Sequence, residues 1–388
     1  MPVVEPLAIG HQPSAISHQP LAVAIIGCGL IGKRRAAVAR AMGDRVVAIA
    51  DVDAARAQQA AAEHSCAWTT DWREVVGRAD VDAVVVAAIN KVLAPVTIAA
   101  TAAGKHVLCE KPLGRNAGEA QEMVEAARRA EVILKTGFNH RHHPAIWRAH
   151  ELCAAGVIGR LMFIRTVYGH GGRPGYDKEW RADADLSGEG ELLDQGVHII
   201  DLCRWFMVED HRKGEDFTKV FGVTGAYFWN LGHFPSDGDR QEATPDNPQS
   251  TIRNPQLEDN AFAMLRTTDG RVAQFHTSWT QWKNRFSFEV FGRDGYVRVE
   301  GLGGSYGVER LEVGRRKSEG GAPEVETVEY TGPDLSWQAE WREFTSAIRE
   351  GRQPLANGED GLQTMRVIAA VYESARTGRV VFLDSSRQ

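Results

Sequence analysis

What the chain lacks narrows its class before any motif is considered. No apolar run approaches the ~20 residues that a membrane span needs, so no bilayer-crossing helix is expected. Neither charge sign dominates: 45 Lys and Arg against 51 Asp and Glu leave a formal net charge of −6. That balance gives no electrostatic reason to expect nucleic acid or an anionic membrane as a partner. Cysteine is sparse. The five cysteines (Cys28, Cys66, Cys109, Cys153 and Cys203) are odd in number and scattered, mostly within apolar segments. They read as buried free thiols of a reducing, cytoplasmic compartment, not as a disulfide set or a metal site. The first twenty residues lack both a basic start and an apolar signal core. They are rich in Pro, Ser and Gln, with the tripeptide HQP at His11 and again at His18, and residues 1–20 are expected to form a poorly ordered extension. Apart from that duplication no internal repeat is evident.

What is present is an ordinary globular composition, 43% hydrophobic and 25% charged over 388 residues, long enough for two domains with substantial cores. The most informative stretch is Leu21 to Gly32, LAVAIIGCGLIG. An apolar strand-like run ends abruptly in G-x-G-x-x-G, and a helix-like segment follows at once. Gly27 permits the tight turn, Gly29 lets the backbone approach a pyrophosphate, and Gly32 lets helix and strand pack closely. The helix start, with Leu30 and Ile31, then offers free N–H groups to phosphate. About 20 residues further on, Asp51 ends a second buried run, RVVAIA, where a dinucleotide fold places its acceptor for ribose hydroxyls. A carboxylate there repels a 2′-phosphate by roughly 4 kcal/mol at ~4 Å and an effective dielectric near 20, so NAD is favoured over NADP. Arg34 and Arg35 lean mildly the other way but read as solvated arginines on the first helix.

Alternating runs continue to Phe138. DAVVVAA (82–88) is a buried strand, with Asn90 at its end. A helix is predicted over Pro95 to Ala103, a strand over His106 to Cys109, a helix from Asn116 and a strand over Val132 to Phe138. Strands alternating with helices predict a doubly wound parallel sheet over residues 21–138, with ligands beyond the strands' carboxyl ends. From residue 139 to 388 the pattern changes. One helix is expected over Glu191 to Phe206. The runs Asn260–Arg266, Val272–Trp279, Phe286–Phe291 and Tyr296–Val299 alternate as strands of an open, mainly antiparallel sheet do. Helices near Trp337–Glu350 and Gly361–Thr377 close this α+β domain, and Leu231 to Gln256 reads as a long polar loop.

Chemistry points to Lys111, Asp194 and His198. Lys111 follows a strand's carboxyl end, and Asp194 and His198 are spaced to share one face of the predicted helix. Taking a hydride from an alcohol carbon also requires removing the hydroxyl proton, and a neutral imidazole suits that task. A carboxylate beside it can orient the ring, and an ammonium can hold the hydroxyl. The cluster His140, His142, His143 and His150 has no Cys or carboxylate completing a set at ligand spacing, so no metal is expected. His140 and Arg141 read instead as polar residues facing substrate or cofactor. The loop from Tyr168 to Arg181 mixes donors, acceptors and rings, as selection among polyhydroxylated substrates requires. Arg173 and Arg181 also leave room for an anionic one.

Three stretches, Gly27–Gly32, Gly104–Leu113 (GKHVLCEKPL) and Asp194–Asp201 (DQGVHIID), resemble in order and spacing the glucose–fructose oxidoreductase / inositol dehydrogenase / MocA family. The resemblance covers nearly the whole chain from Leu21. It implies a Rossmann domain followed by an open-sheet domain, and a hydride transfer between nicotinamide and a secondary hydroxyl of a sugar, polyol or related cyclic compound. By resemblance Lys111 contacts substrate and cofactor, and Asp194 and His198 form the pair whose histidine is the general acid/base. The expected cofactor contacts are Gly27, Gly29, Leu30, Ile31, Gly32, Asp51, Asn90, Glu110 and Lys111. The expected substrate contacts are Lys111, Asn139, Arg141, Tyr168, Arg173, Trp180, Asp194 and His198. Where the family usually shows a Thr-Pro-Asn-like turn, this chain has Ala88-Ile89-Asn90, so only Asn90 matches. Homodimers or homotetramers are expected, paired through the polar face of the second sheet near Trp279 and Trp282. A nucleotide-linked sugar substrate, NAD recycled in place, and a non-catalytic dinucleotide-binding regulator are the alternatives.

Overall fold

The computed structural model of the protein describes residues 19–172, 175–208, 216–229 and 257–383. The expected extension up to residue 18, Arg173 and the expected loop over 231–256 lie outside the described residues.

The first sheet has six parallel strands: β1 (Ala22–Ile26), β2 (Arg45–Ala50), β3 (Ala67–Thr69), β4 (Ala83–Val86), β5 (His106–Glu110) and β6 (Leu134–Gly137). Their order is β3-β2-β1-β4-β5-β6. β1 and β4 are buried at every position, as strands covered by helices on both faces must be. Four of the covering helices are α1 (Leu30–Ala41), α2 (Ala54–His64), α4 (Asn90–Ala102) and α5 (Ala117–Arg129), with short α3 (Trp72–Val76) between. Caps set their starts: Asp53 accepts from Arg56 N and Asn116 from Glu119 N. The chain builds outward from β1 in one direction, then returns to build outward from β4 in the other. The crevice beyond the carboxyl ends of these two strands is where such folds hold ligands.

Among the described residues the second sheet has nine strands: β7 (Leu161–Gly169), β8 (Phe217–Gly225), β9 (Asn260–Thr267), β10 (Val272–Ser278), β11 (Arg285–Gly292), β12 (Gly295–Glu300), β13 (Glu309–Arg315), β14 (Glu324–Tyr330) and β15 (Val381–Phe382). The order is β14-β13-β12-β11-β7-β10-β9-β8-β15. Every pairing is antiparallel except β7 with β10. Helices α6 (Pro144–Ala154), α7 (Ala184–Ser187), α8 (Val197–Met207), α9 (Ser336–Glu350) and α10 (Gly358–Thr377) complete the fold. α10 lies so close to β8 that a Cβ on Gly222 would stand 2.6 Å from the Val371 side chain. α9 returns to the first sheet's flank, where the Trp341 indole N–H donates to Asp44 at 2.8 Å.

Several expectations need correcting. The helix expected from Pro95 begins at Asn90, leaving Pro95 inside it. The helix expected over 191–206 is present without a break, but it opens with a π-helical turn at Leu192–Gly196 before α8. The sheet face expected to be polar is mixed: Arg165–Glu289 and Arg298–Glu312 pair across β7, β11, β12 and β13 as a polar face does, but Phe221, Val223, Phe262 and Met264 form an apolar patch, 40–54% exposed, on neighbouring β8 and β9. Trp279, expected near that face, is 1% exposed and packs with Tyr176 and Trp229.

Candidate active site

The glycine turn is built as its spacing predicts. Gly27 has φ +86°, and a Cβ there would lie 2.4 Å from the Ala87 carbonyl oxygen; on Gly32 it would lie 1.8 Å from that of Gly27. Gly29 differs. Nothing stands within 4 Å of its Cβ position, so the turn keeps open the space that the second glycine of a dinucleotide site reserves for pyrophosphate. Leu30 and Ile31 begin α1 directly behind it. The Asp51 carboxylate accepts from Cys28 N at 2.8 Å and Asp53 N at 3.0 Å, with Arg56 at 3.4 Å. These residues fit a dinucleotide: an open glycine cradle, a helix start and an acidic group in the expected order.

Across the crevice, β5 delivers Lys111. Its ammonium donates to the Asp194 carboxylate at 3.0 Å and to the Asp194 carbonyl oxygen, joining the first sheet to the π-helical turn before α8. Tyr176 donates to the same carboxylate at 3.4 Å, and the Arg181 guanidinium approaches it at 3.5 Å. Burial alone would raise the Asp194 pKa, but the charges of Lys111 and Arg181 hold it below the usual carboxylate range. His198 is 6% exposed one turn further on. Burial, then the charges of Lys111 and His143, push its pKa well below that of an ordinary imidazole. The expected Asp194–His198 pairing is not formed: the widened π turn aims the carboxylate at Lys111, and His198 Nδ1 is buried without a hydrogen-bond partner.

Not every expected contact reaches the crevice. The Glu110 carboxylate is held by Arg35 at 2.7 Å, and Arg35 also donates to Glu340 at 2.6 Å. Arg35 is therefore fully buried, not solvated, and its guanidinium lies 4.5 Å from the Trp337 ring centroid. Asn90 turns its amide to the Ser187 carbonyl oxygen at 2.8 Å. Arg141, expected to face substrate, is 1% exposed and bonded to Asp201 and Asp360. Asn139 bonds Ser336, and His140, expected to face substrate or cofactor, is 6% exposed against the His198 ring. Tyr168 is buried beside Tyr306 and edge-on to His198. Trp180 is half-buried under the Arg181 guanidinium. Tyr176 and Gln195 were missed. Gln195 lies within the DQGVH run and reaches the Tyr306 hydroxyl at 3.4 Å. Tyr176 has only its place in the aromatic loop as a signal. Among the described residues no group of His, Cys, Asp and Glu could hold a metal.

An open glycine turn at the start of a doubly wound sheet, followed by a mainly antiparallel sheet, fits the class of nucleotide-dependent dehydrogenases. Residues 21–138 match the family model described as "Oxidoreductase family, NAD-binding Rossmann fold", and residues 146–298 match the "GFO/IDH/MocA C-terminal domain". The chain belongs to this family of NAD-binding oxidoreductases acting on CH–OH groups. It is 30% identical over 350 residues to a 1,5-anhydro-D-fructose reductase of Ensifer adhaerens, covering 89% of this chain and 93% of that one. It is 27% identical to a levoglucosan dehydrogenase of Pseudarthrobacter phenanthrenivorans, covering 79% and 81%. A solved levoglucosan dehydrogenase in complex with NADH shares the fold, with TM-score 0.80 and 24% identity over 94% of this chain and 100% of that one.

Proposed function

We propose that this protein is a cytoplasmic enzyme that oxidises a secondary hydroxyl of a sugar, anhydrosugar or polyol, with His198 exchanging the hydroxyl proton. The observation that carries the reading is the Lys111–Asp194 bond across the crevice, with the low-pKa His198 one turn beyond. Bound NAD supplies the acceptor for the hydride. The open turn at Gly29 and the start of α1 receive the phosphates, Gly27 and Gly32 shaping that turn, and Asp51 receives the ribose. Lys111, fixed by Asp194, holds the substrate oxygen and favours its ionised form. With Nδ1 enclosed, Nε2 of His198 is the nitrogen that takes the proton. Tyr176, Trp180 and Arg181 border the place where ring hydroxyls and C–H faces are recognised. Residues 21–138 serve the dinucleotide, and residues 139–388 serve substrate and assembly.

The names of the two curated relatives support a carbohydrate of the anhydrosugar kind. The exposed apolar patch on β8 and β9 supports assembly as a homodimer or homotetramer. The test is a fluorescence screen for NADH formation across anhydrosugars, free sugars, inositols, sugar acids and nucleotide sugars. Turnover confined to free or anhydro sugars and polyols is expected. Turnover of nucleotide sugars alone, or of nothing while NAD binds, would overturn the reading.

A further inference from the structure

An imidazole base commonly has its second nitrogen held by a carboxylate or carbonyl, which fixes the ring and stabilises the proton once it arrives. His198 Nδ1 has no such partner, and Asp194 is committed to Lys111 and Arg181. Other rings hold it instead. His140 lies face to face with it, centroids 3.9 Å apart and planes 25° from parallel. Phe138 and Tyr168 meet it edge-on at 6.2 and 6.3 Å. We infer that His140 is a positioning residue: a neutral aromatic plate that seats the His198 ring and stabilises its protonated form during turnover. The inference rests on His198 being the proton-exchanging group.

The surroundings keep His140 neutral. Its Nδ1 lies 3.2 Å from Asn139 Oδ1, an acceptor that matches the neutral tautomer with its hydrogen on Nδ1. The Asn139 amide is held in turn by Ser336 Oγ at 3.2 Å. Nε2 of His140 is buried without a partner, so a second proton there would be an unshared buried charge. Burial, with His198, His143 and Lys111 as the chargeable neighbours, holds its pKa well below the ordinary value. His143 sits 5.6 Å away with its Nδ1 on Glu309 at 3.0 Å, and Tyr168 packs edge-on at 5.3 Å.

A neutral ring face attracts a cation placed against it, whereas the same contact with neutral His198 is plain stacking. The plate therefore favours the protonated base more than the resting one, which is the difference that accelerates a proton transfer. A carboxylate in its place would act in the same direction but more strongly, raising the pKa enough to leave less of the base free at neutral pH.

Three variants test this: His140→Leu keeps apolar volume without a π face, His140→Phe restores the face without nitrogens, and His198→Asn removes the base. In NAD-loaded protein with labelled histidine, the His198 ring signal is assigned by its loss in His198→Asn. Its titration midpoint should fall by about half a pH unit or more in the leucine variant and return toward the parent in the phenylalanine variant. With levoglucosan and myo-inositol as probes, the leucine variant should lose roughly ten-fold in kcat with KM within about two-fold, and the phenylalanine variant should recover most of it. An unchanged midpoint in the leucine variant, or a phenylalanine variant as impaired as the leucine one, overturns the plate. Undiminished turnover in His198→Asn is a different failure: it removes the proposed base, while the titration still decides whether His140 governs the ring.

Discussion

Lys111 and Asp194 come from sequence positions 83 residues apart, and their charges reach the crevice as a bonded pair. A charge-assisted bond of this kind fixes the ammonium more firmly than two solvated ions would, as the proposed hold on a substrate oxygen requires. The depressed pKa of His198 has a direct consequence for rate. A base must be neutral to accept a proton, and burial with the Lys111 and His143 charges keeps His198 neutral below the ordinary imidazole value of about 6.5. The acid limb of kcat/KM for alcohol oxidation should therefore lie below pH ~6.5, as a pH–rate profile would show; a limb above that value would assign it to another group. Lys111, Asp194 and His198 were legible because each sits in a short run that resembles a family motif. Arg35, Glu110 and Arg141 were not. Their partners Glu340, Asp201 and Asp360 lie 60 to 305 residues away, and no local pattern shows that a charged side chain is matched across that distance.

At the scale of elements, the turn between β1 and α1 separates two uses of glycine. Gly32 is needed for packing: an added Cβ would strike the Gly27 carbonyl oxygen. Gly29 is not needed for packing, its Cβ position being open, which leaves the proposed pyrophosphate as its reason. Gly29→Ala should accordingly fold with a thermal midpoint near that of the parent while NAD affinity falls by at least about ten-fold, a loss of ~1.4 kcal/mol. Gly32→Ala should lose several kcal/mol of stability. Calorimetry with NAD titration checks both, and equal stability losses in the two variants would contradict the division of roles. The parallel sheet was read nearly strand by strand because buried strands are continuous apolar runs. β14 was not, since its residues are exposed almost throughout and present no apolar face to the reader. The π turn also escaped, because DQGVH at helical spacing reads as a regular α-helix until the backbone is seen to widen.

At the scale of the whole molecule, the C-terminal helix α9 is tied to the first sheet by charge as well as by apolar packing. Glu340 on α9 reaches Arg35 on α1, and Arg35 reaches Glu110 at the end of β5, so the dinucleotide helix, the lysine's strand and a C-terminal helix meet at one fully buried guanidinium. Lys135 adds its ammonium 3.8 Å from Glu340. Glu340→Gln should cost about 3–5 kcal/mol by leaving buried cations short of a counter-charge. The measurement is the denaturation midpoint, and a change under ~1 kcal/mol would mean the network is not fully desolvated. The outer face of the second sheet makes the other large-scale prediction. Met264→Glu, at the centre of the apolar patch, should shift light-scattering mass from a dimer or tetramer toward the monomer while the fold is kept; an unchanged mass would place the subunit contact elsewhere.

The proposed chemistry requires a lysine just past β5 and a histidine on α8 to serve one alcohol carbon. The most direct measurement compares NADH formation by the parent and by His198→Ala on the best sugar of the screen, with NADH binding followed by fluorescence in both. The expected result is turnover lower by roughly 10²–10⁴ in the variant with NADH binding retained. Equal turnover in the two proteins would contradict it.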